Sequence, residues 1–266
     1  MQDTFARRGI AVDISVAGDF LYRTRYRLKD PRPKVSIIIP TRDRPNELEA
    51  CLVSVLSKTT YPNYDITIMD NGSESEQTKN LFKTCERLPN VRVVSFAGPF
   101  NFSAMNNKAA SLVDGEFICL LNNDTEVITD EWLDEMVGFA IQPGIGCVGA
   151  KLYYKNNTLQ HGGVVLGLRG MCGHAFMHVS REEAGYFGRL VVPSNYSAVT
   201  GACLLIRKSI YEEVGGLDEE LAIAFNDIDL CLKVRNRGYR NVWTPFRRVV
   251  SSRIAVKRSR HHASPD

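Results

Sequence analysis

The sequence predicts an α/β protein with a mostly parallel sheet and helices on both faces. Three observations predict it. Short, nearly continuous β-branched runs such as Val35-Ser36-Ile37-Ile38-Ile39-Pro40 suit strands buried on both sides. Between them, apolar residues recur at helical spacing, as at Leu48, Leu52, Val55 and Leu56. The two patterns alternate through the first half of the chain, which calls for right-handed crossovers in one sheet.

Residues 1–34 read as a charged lead-in, cut as if from a longer protein. Tyr22-Arg23-Thr24-Arg25-Tyr26-Arg27-Leu28-Lys29 alternates like an edge strand, and Pro31 and Pro33 then break the pattern into a linker. After the first buried strand comes Thr41-Arg42-Asp43-Arg44-Pro45, with Pro45 suited to a first helical turn. Asp65-Ile66-Thr67-Ile68-Met69 is a second strand ending in Asp70-Asn71-Gly72-Ser73, and Val91-Arg92-Val93-Val94 a third. Residues 101–113 read as a helix, and Glu116-Phe117-Ile118-Cys119-Leu120-Leu121 as a fourth strand.

The second half is less regular. Residues 147–153, 164–166 and 202–206 read as strands, residues 209–214 as a short helix stopped by Gly215-Gly216, and residues 226–237 as an amphipathic helix capped by Gly238. The Gly-, His- and Met-rich stretch 167–180 reads as a mobile loop. Trp132 is expected in the core. No linker separates the halves, so one continuous domain over 35–246 is expected.

Composition narrows the function. The 33 basic and 30 acidic residues give a net charge of +3, but six of the positive charges follow Phe246. Residues 1–246 therefore carry a slight excess of acid, which excludes a nucleic-acid binder driven by a basic surface. The cysteines number seven, an odd count, lack any C-x-x-C pair and stand mostly inside apolar runs. That is the usage of a reducing compartment. With no apolar stretch of about 20 residues and no signal-peptide core, a cytoplasmic chain is expected, with peripheral contact to the inner face of the plasma membrane as its one membrane option.

In an open parallel sheet, ligands bind at the carboxyl ends of the strands. This chain brings Pro40-Thr41-Arg42-Asp43, Asp70-Asn71-Gly72-Ser73 and Asn122-Asn123-Asp124-Thr125-Glu126 to those ends. No G-x-G-x-x-G follows the first strand and no G-x-x-x-x-G-K-[ST] occurs anywhere, which disfavours dinucleotide hydride transfer and P-loop chemistry. A nucleotide held without a glycine loop needs its phosphate charge neutralised otherwise, and a divalent metal on a strand-end carboxylate does that.

This constellation resembles the family 2 inverting glycosyltransferases of the GT-A (nucleotide-diphospho-sugar transferase) fold, and within them bacterial enzymes of O-antigen and surface-polysaccharide assembly of the rhamnosyltransferase type. It is densest at residues 35–44, 70–73, 101–107, 120–126, 195–207 and 225–245, six segments in the right order. The resemblance implies transfer of a hexosyl or deoxyhexosyl group from a dTDP-, UDP- or GDP-linked donor to a glycan or lipid-linked oligosaccharide acceptor. Pro40, Thr41 and Arg42 would line the nucleoside pocket. Asp70 would accept hydrogen bonds from the base or ribose, although Asp before Asn-Gly is equally a turn former. Asn106 would stand near the nucleoside, or serve as a helix-cap or surface amide. Asn122-Asn123-Asp124 occupies the place of a DxD motif whose first carboxylate is an amide. Asn123 then falls on the donor side, and Asp124 becomes the ligand for Mg2+ or Mn2+; the same tripeptide also reads as an ordinary turn.

Asp227, in Phe225-Asn226-Asp227-Ile228-Asp229-Leu230, matches the family's general base, which takes the acceptor proton in a single inverting displacement. Asp229, about 200° away on the helix, would instead orient the helix or pair with a nearby Arg or Lys. Acids enriched in a first helical turn explain both without catalysis. Thr200, Gly201 and Ala202 match the acceptor-side wall. The spacing of His161, His174 and His178 suits no closed metal site, and His174 is the one read as a donor-lid residue. Two other classes remain in view: a catalytically impaired GT-A fragment that binds nucleotide-sugars or acts as a scaffold, and, more remotely, a sugar-nucleotide pyrophosphorylase, whose Gly-rich first loop is missing.

The resemblance ends at Phe246. The family continues with an HHES-type motif, whereas this chain reads Arg247-Arg248-Val249-Val250-Ser251-Ser252-Arg253-Ile254-Ala255-Val256. One allowed codon set for those ten residues, read one base later, encodes AELYHHESL. Residues 247–266 are therefore either a solvated basic tail suited to anionic lipid or the product of a frame change that costs the metal site its histidine. DNA sequencing across the Phe246 codon decides: an HHES reading in the overlapping frame is expected, and a confirmed frame without that overlap removes the frame-change explanation.

Overall fold

The structure, a computed structural model, describes residues 1–18 and 20–251. Two charged segments precede the main sheet. Helix α1 (Gln2–Arg7) leads into an antiparallel hairpin of β1 (Val12–Gly18) and β2 (Leu21–Tyr26), which forms its own two-stranded sheet. The alternating run that begins at 22 thus lies, as far as Tyr26, in an edge strand of a separate two-stranded sheet. β2 packs on the helix of residues 132–140, where Arg23 meets Glu135 at 2.9 Å and Tyr26 meets the Phe139 ring edge-on.

The expected alternation follows. β3 (Val35–Thr41), α2 (Pro45–Lys58), β4 (Tyr64–Asp70), α3 (Glu76–Cys85), β5 (Val91–Ser95), α4 (Phe102–Leu112) and β6 (Phe117–Leu121) come in turn. Pro45 opens α2 at its first turn, and Ser75 and Asn101 cap α3 and α4 through their side chains. The four strands run parallel in the order β5-β4-β3-β6.

β7 (Thr125–Val127), α5 (Trp132–Ala140), β8 (Ile145–Tyr154), β9 (Leu159–His161), β10 (Val164–Leu166), β11 (Cys172–His174) and β12 (Ser194–Tyr196) come next. β13 (Cys203–Arg207), α6 (Lys208–Glu213), α7 (Asn226–Asn236) and β14 (Arg240–Ser251) complete the described chain. β13 lies antiparallel between β6 and β8, and β14 runs parallel to β8. The stretch 167–180, read as a mobile loop, holds β11, which pairs back on the expected strand β10 with Val164 opposite His174. β14 continues past Phe246 to Ser251, pairing with both β8 and β7. The remaining basic residues, His261 and His262 among them, lie outside the described residues.

Each continuous apolar strand divides its side chains between two cores, as burial on both faces requires. Ile37 and Ile39 pack with Leu48 and Leu52 of α2 and Trp132 of α5, while Ile38 packs on the other side with Met105 of α4 and Leu230 of α7. Each such side chain contributes roughly 1.5–3 kcal/mol by leaving water. Trp132 is wholly buried, as expected, with its indole N–H on Thr59 Oγ1 at 2.9 Å. Six of the seven thiols are buried and none is bridged. No helix among the described residues is long and apolar enough to cross a membrane.

Glycine lets one central strand approach its neighbours: a Cβ on Gly149 of β8 would come within 2.5 Å of Val199 Cβ. Gly149→Ala is expected to destabilise the domain by about 1–3 kcal/mol. It should appear as a lower urea midpoint at unchanged slope, and an unaltered midpoint would contradict this packing.

Candidate active site

The carboxyl ends of β3, β4 and β6 form one rim, and the chemistry-bearing residues read from the sequence meet along it. Thr41 closes β3 and stands in register with Asp70 at the end of β4. Asn71 N–H donates to the Thr41 carbonyl at 2.9 Å. Asp70 Oδ1 accepts from Ser73 N–H at 2.9 Å and from the Ser73 hydroxyl at 2.6 Å, with Gly72 at φ +70°. The aspartate therefore builds the turn that the Asp-Asn-Gly sequence suggests, and it does so beside Thr41.

Asp43 extends the construction. Its N–H donates to Ser73 Oγ at 2.7 Å, and its Oδ1 accepts the Glu74 and Ser75 N–H groups at 3.0 Å. This loop-building role was not read from the sequence, because its partners lie some thirty residues away. Arg42 is exposed in the same loop, and Pro40 is buried in the strand.

On the other flank, Asn123 Nδ2 donates to Thr41 Oγ1 at 2.9 Å, joining the ends of β6 and β3. Asp124 follows in a turn closed by Thr125 N–H on the Asn122 carbonyl at 3.2 Å. Cys51 lies beneath, its Sγ 3.7 Å from the Asn122 carbonyl. Burial first, and then the Asp124 charge, push its thiol well above the ordinary value. Among the described residues no three His, Cys, Asp or Glu side chains converge to cage a metal. One strand-end carboxylate fits a cation carried mainly by phosphate oxygens and water, as Mg2+ commonly is, and does not fit a closed protein site.

The strand β13 brings the second half of the chain to the same rim. Because it runs antiparallel to β6, with Cys203 opposite Leu121, its first residues meet the last of β6. Asn122 N–H donates to the Ala202 carbonyl at 3.1 Å. Gly201 N–H donates to Asp227 Oδ2 at 2.8 Å, and Asp227 Oδ1 accepts its neighbour's N–H from Ile228 at 2.9 Å. A Cβ on Gly201 would lie 3.3 Å from Asp227 Cβ, so what this glycine admits is the aspartate itself. Asp229 turns away to Lys233, 3.0 Å from its Oδ2, as expected.

A cleft of about 320 Å3 opens at this junction, lined by Asn122, Thr200, Gly201, Ala202, Asp227 and His174 together with Phe102, Cys172, Ile223 and Phe225. Asp70, Thr41, Asn123 and Asp124 continue the row across β4, β3 and β6 from its Asn122 end. Asn106 stands apart from the cleft lining. It is fully buried in α4, its Nδ2 on the Phe102 carbonyl one turn back at 2.8 Å. The neighbouring Asn107 bears more weight: its Oδ1 accepts from the Tyr211 hydroxyl and from Leu217 N–H, and its Nδ2 donates to the Leu217 carbonyl and to the Glu219 carboxylate, all within 2.9 Å.

His161 is fully buried behind Thr200, and its Nδ1 lies 2.7 Å from Nδ1 of His174. Burial first, then the neighbouring His174, hold His161 well below the usual histidine range. The pair was missed as a unit because the two histidines meet only through the β10–β11 hairpin.

The sequence model of the family described as Glycosyl transferase family 2 matches residues 36–215. The chain is 52% identical over 229 residues to the uncharacterised protein y4gI of Sinorhizobium fredii, covering 85% of this chain and 25% of that protein. It is 35% identical over 262 residues to the O-antigen biosynthesis protein RfbC of Myxococcus xanthus, covering 97% of this chain and 20% of that one. The chain thus spans a quarter or less of these relatives' lengths. Among solved structures, GalNAc-T7 with UDP, GalNAc and Mn2+ superposes with a TM-score of 0.71 at 17% identity, over 86% of this chain and 45% of that one. The mannosyltransferase PcManGT of Pyrobaculum calidifontis with GDP-Man and Mn2+ gives 0.63 at 16% identity, over 84% and 58%. Both are glycosyltransferases of the expected GT-A fold.

The buried histidine sets a pH dependence. Folded His161 stays neutral, whereas an unfolded histidine takes up a proton near pH 6.5. Below that value the unfolded state binds the extra proton, so stability is full above about pH 6.5 and falls as pH drops, by up to about 1.4 kcal/mol per pH unit. Urea midpoints between about pH 7.5 and 5.5 should fall less steeply in His161→Gln. Equal slopes would mean that His161 is not held neutral.

Proposed function

The chain belongs to glycosyl transferase family 2, and we propose that it moves a sugar from a nucleotide-diphospho-sugar to an acceptor hydroxyl with inversion, in the assembly of a bacterial cell-surface polysaccharide. The donor is dTDP-, UDP- or GDP-linked and the acceptor a glycan or lipid-linked oligosaccharide, met on the cytoplasmic side of the membrane. The observation that carries this reading is the hydrogen bond from Gly201 N–H to Asp227, which ties a carboxylate of α7 to the strand-end row ending in Asp70.

In this reading Thr41, Arg42 and Asp70 hold the nucleoside, Pro40 shapes the loop from behind, and Asn123 keeps Thr41 in line. Asn106 contributes by fixing the Phe102 turn of α4, whose ring lines the cleft. Asp124 would hold Mg2+ or Mn2+, which when bound neutralises charge on the diphosphate. Thr200, Gly201 and Ala202 form the acceptor wall. Asp227 takes the proton of the acceptor hydroxyl as that oxygen bonds to the anomeric carbon. The bond from that carbon to the nucleoside diphosphate breaks on the opposite face, so one displacement inverts the centre. The two N–H groups on Asp227 fix the direction of its carboxylate without occupying every lone pair.

Asp227→Asn keeps the size of the side chain and one oxygen that can accept from a contacting N–H, and removes the base. It is expected to lower transfer by at least about 100-fold while leaving nucleotide-sugar binding intact. The checks are release of nucleoside diphosphate with Mn2+ and the donor-induced rise in melting temperature. Undiminished turnover would remove Asp227 from this role.

A further inference from the structure

We propose that the acceptor is amphipathic, a sugar linked directly to an aliphatic chain, and that an apolar collar around the mouth of the Asp227 cleft holds the first part of that chain. The proposal rests on the reading of the site as one of glycosyl transfer and narrows its acceptor. The sugar enters the cleft and the chain stays on the collar.

One side of the collar is the β10–β11 hairpin, from which Val164, Cys172 and Gly173 line the cleft. Alternate residues of a strand share a face, and residues paired directly across an antiparallel ladder share it too. Leu166 stands two residues from Val164 and opposite Cys172, so it continues the cleft wall outward, where it is exposed. Leu168, also exposed, reaches back to the lining, its Cδ2 3.0 Å from where a Cβ on Gly173 would stand. Met171, 64% exposed, closes the turn by accepting Gly167 N–H on its carbonyl at 2.8 Å.

The other side is the loop before α7. Ile223 and Phe225 both line the cleft and both face solvent, Ile223 to 78%. A loop free to move would fold such side chains onto the protein, and this one is not free. The Leu221 and Ala222 carbonyls accept from Ser103 Oγ and Phe102 N–H at 2.8 Å each. The Phe225 carbonyl accepts from Asp229 N–H at 2.9 Å, and Phe225 holds a strained φ of +64°. The backbone on both sides of Ile223 is therefore tied, and the two apolar side chains are kept in water.

Apolar surface gathered in one place marks a binding surface, and its continuity with the cleft lining says what it binds. A bare sugar seated in the cleft gains nothing from aliphatic side chains beyond the mouth, because hydroxyls prefer water to apolar surface. A chain leaving the same sugar does gain, since each methylene laid on the collar loses water.

The test reads binding by NMR titration, without turnover. Methyl, butyl and hexyl glycosides of glucose, galactose, mannose, N-acetylglucosamine and rhamnose are titrated singly, each below its micelle-forming concentration. For the sugar bound best, half-burial of each added methylene should tighten binding about twofold, so about thirtyfold from methyl to hexyl. Met171→Gln combined with Ile223→Gln should cut that gain to about fivefold or less. Val53→Gln should keep it, since Val53 is exposed on α2, which packs on the opposite face of the sheet from α4 and α7. Excess methyl glycoside should displace the hexyl one. The proposal is overturned if no glycoside binds, if methyl and hexyl glycosides bind equally, or if the double variant keeps the full gain. Failure of the methyl glycoside to displace the hexyl one, or capture of the protein by phosphatidylcholine vesicles that carry no glycoside, overturns it as well. Undiminished turnover in Asp227→Asn beside an intact chain-length gain would instead sink the transfer reading alone.

Discussion

The antiparallel entry of β13 beside β6 is the constraint on which the site depends. Three parallel strands deliver their carboxyl ends to one rim, and a fourth parallel neighbour would deliver another. An antiparallel one delivers its beginning instead, so residues 200–202 meet residues 122–124 across eighty positions of sequence. From there Gly201 reaches Asp227, and the row from Asp70 to Asp227 becomes one connected set of backbone and side-chain contacts. The two halves of the chain, regular and irregular, share a rim through this one strand.

What was legible in the sequence was what local physics writes there. Ile37-Ile38-Ile39 and Phe117 through Leu121 are apolar without alternation, and buried parallel strands follow from that alone. Asp70 before Asn-Gly reads as a turn for local reasons, and it is one. The 12–26 hairpin was half seen, since alternation at 22–26 shows a strand but not its partner or the helix that β2 lies on. Residues 164–166 were legible as a strand, but β9, β11 and the residues of β14 beyond Phe246 were not, because their stability comes from pairing with other segments and their own patterns are weak.

The site divides in the same way. Thr41, Asp124 and Asp227 stand at strand or helix ends, positions a sequence marks by where an apolar run stops. Asn107 sits inside α4 and His161 ends a three-residue strand that no apolar run marks, and only their partners reveal what they do. In the segment Asn101 to Asn107 the sequence drew attention to Asn106. That residue turns its amide back into its own helix, while the next one grips another part of the chain. A motif can mark the right segment for a different physical reason than the one first given.

That grip explains how the loop before Asp227 keeps its shape. Residues 217–226 carry exposed Ile223 and Phe225 and contribute few side chains to either core. Hydrogen bonds from α4 hold them instead. Asn107 binds Leu217 and Glu219, Asn101 Nδ2 the Glu219 carbonyl, Ser103 Oγ the Leu221 carbonyl, and Phe102 N–H the Ala222 carbonyl. Asn226 Nδ2 closes the set on the Leu221 carbonyl. Each such bond is worth about 1 kcal/mol net, and a left-handed non-glycine residue costs about 1–3 kcal/mol. The set therefore more than offsets the strain at Phe225. A loop fixed by directional bonds to a helix seated in the sheet is held more closely than apolar contact alone would hold it. The carboxylate that follows it thus inherits its direction from the helix that precedes β6.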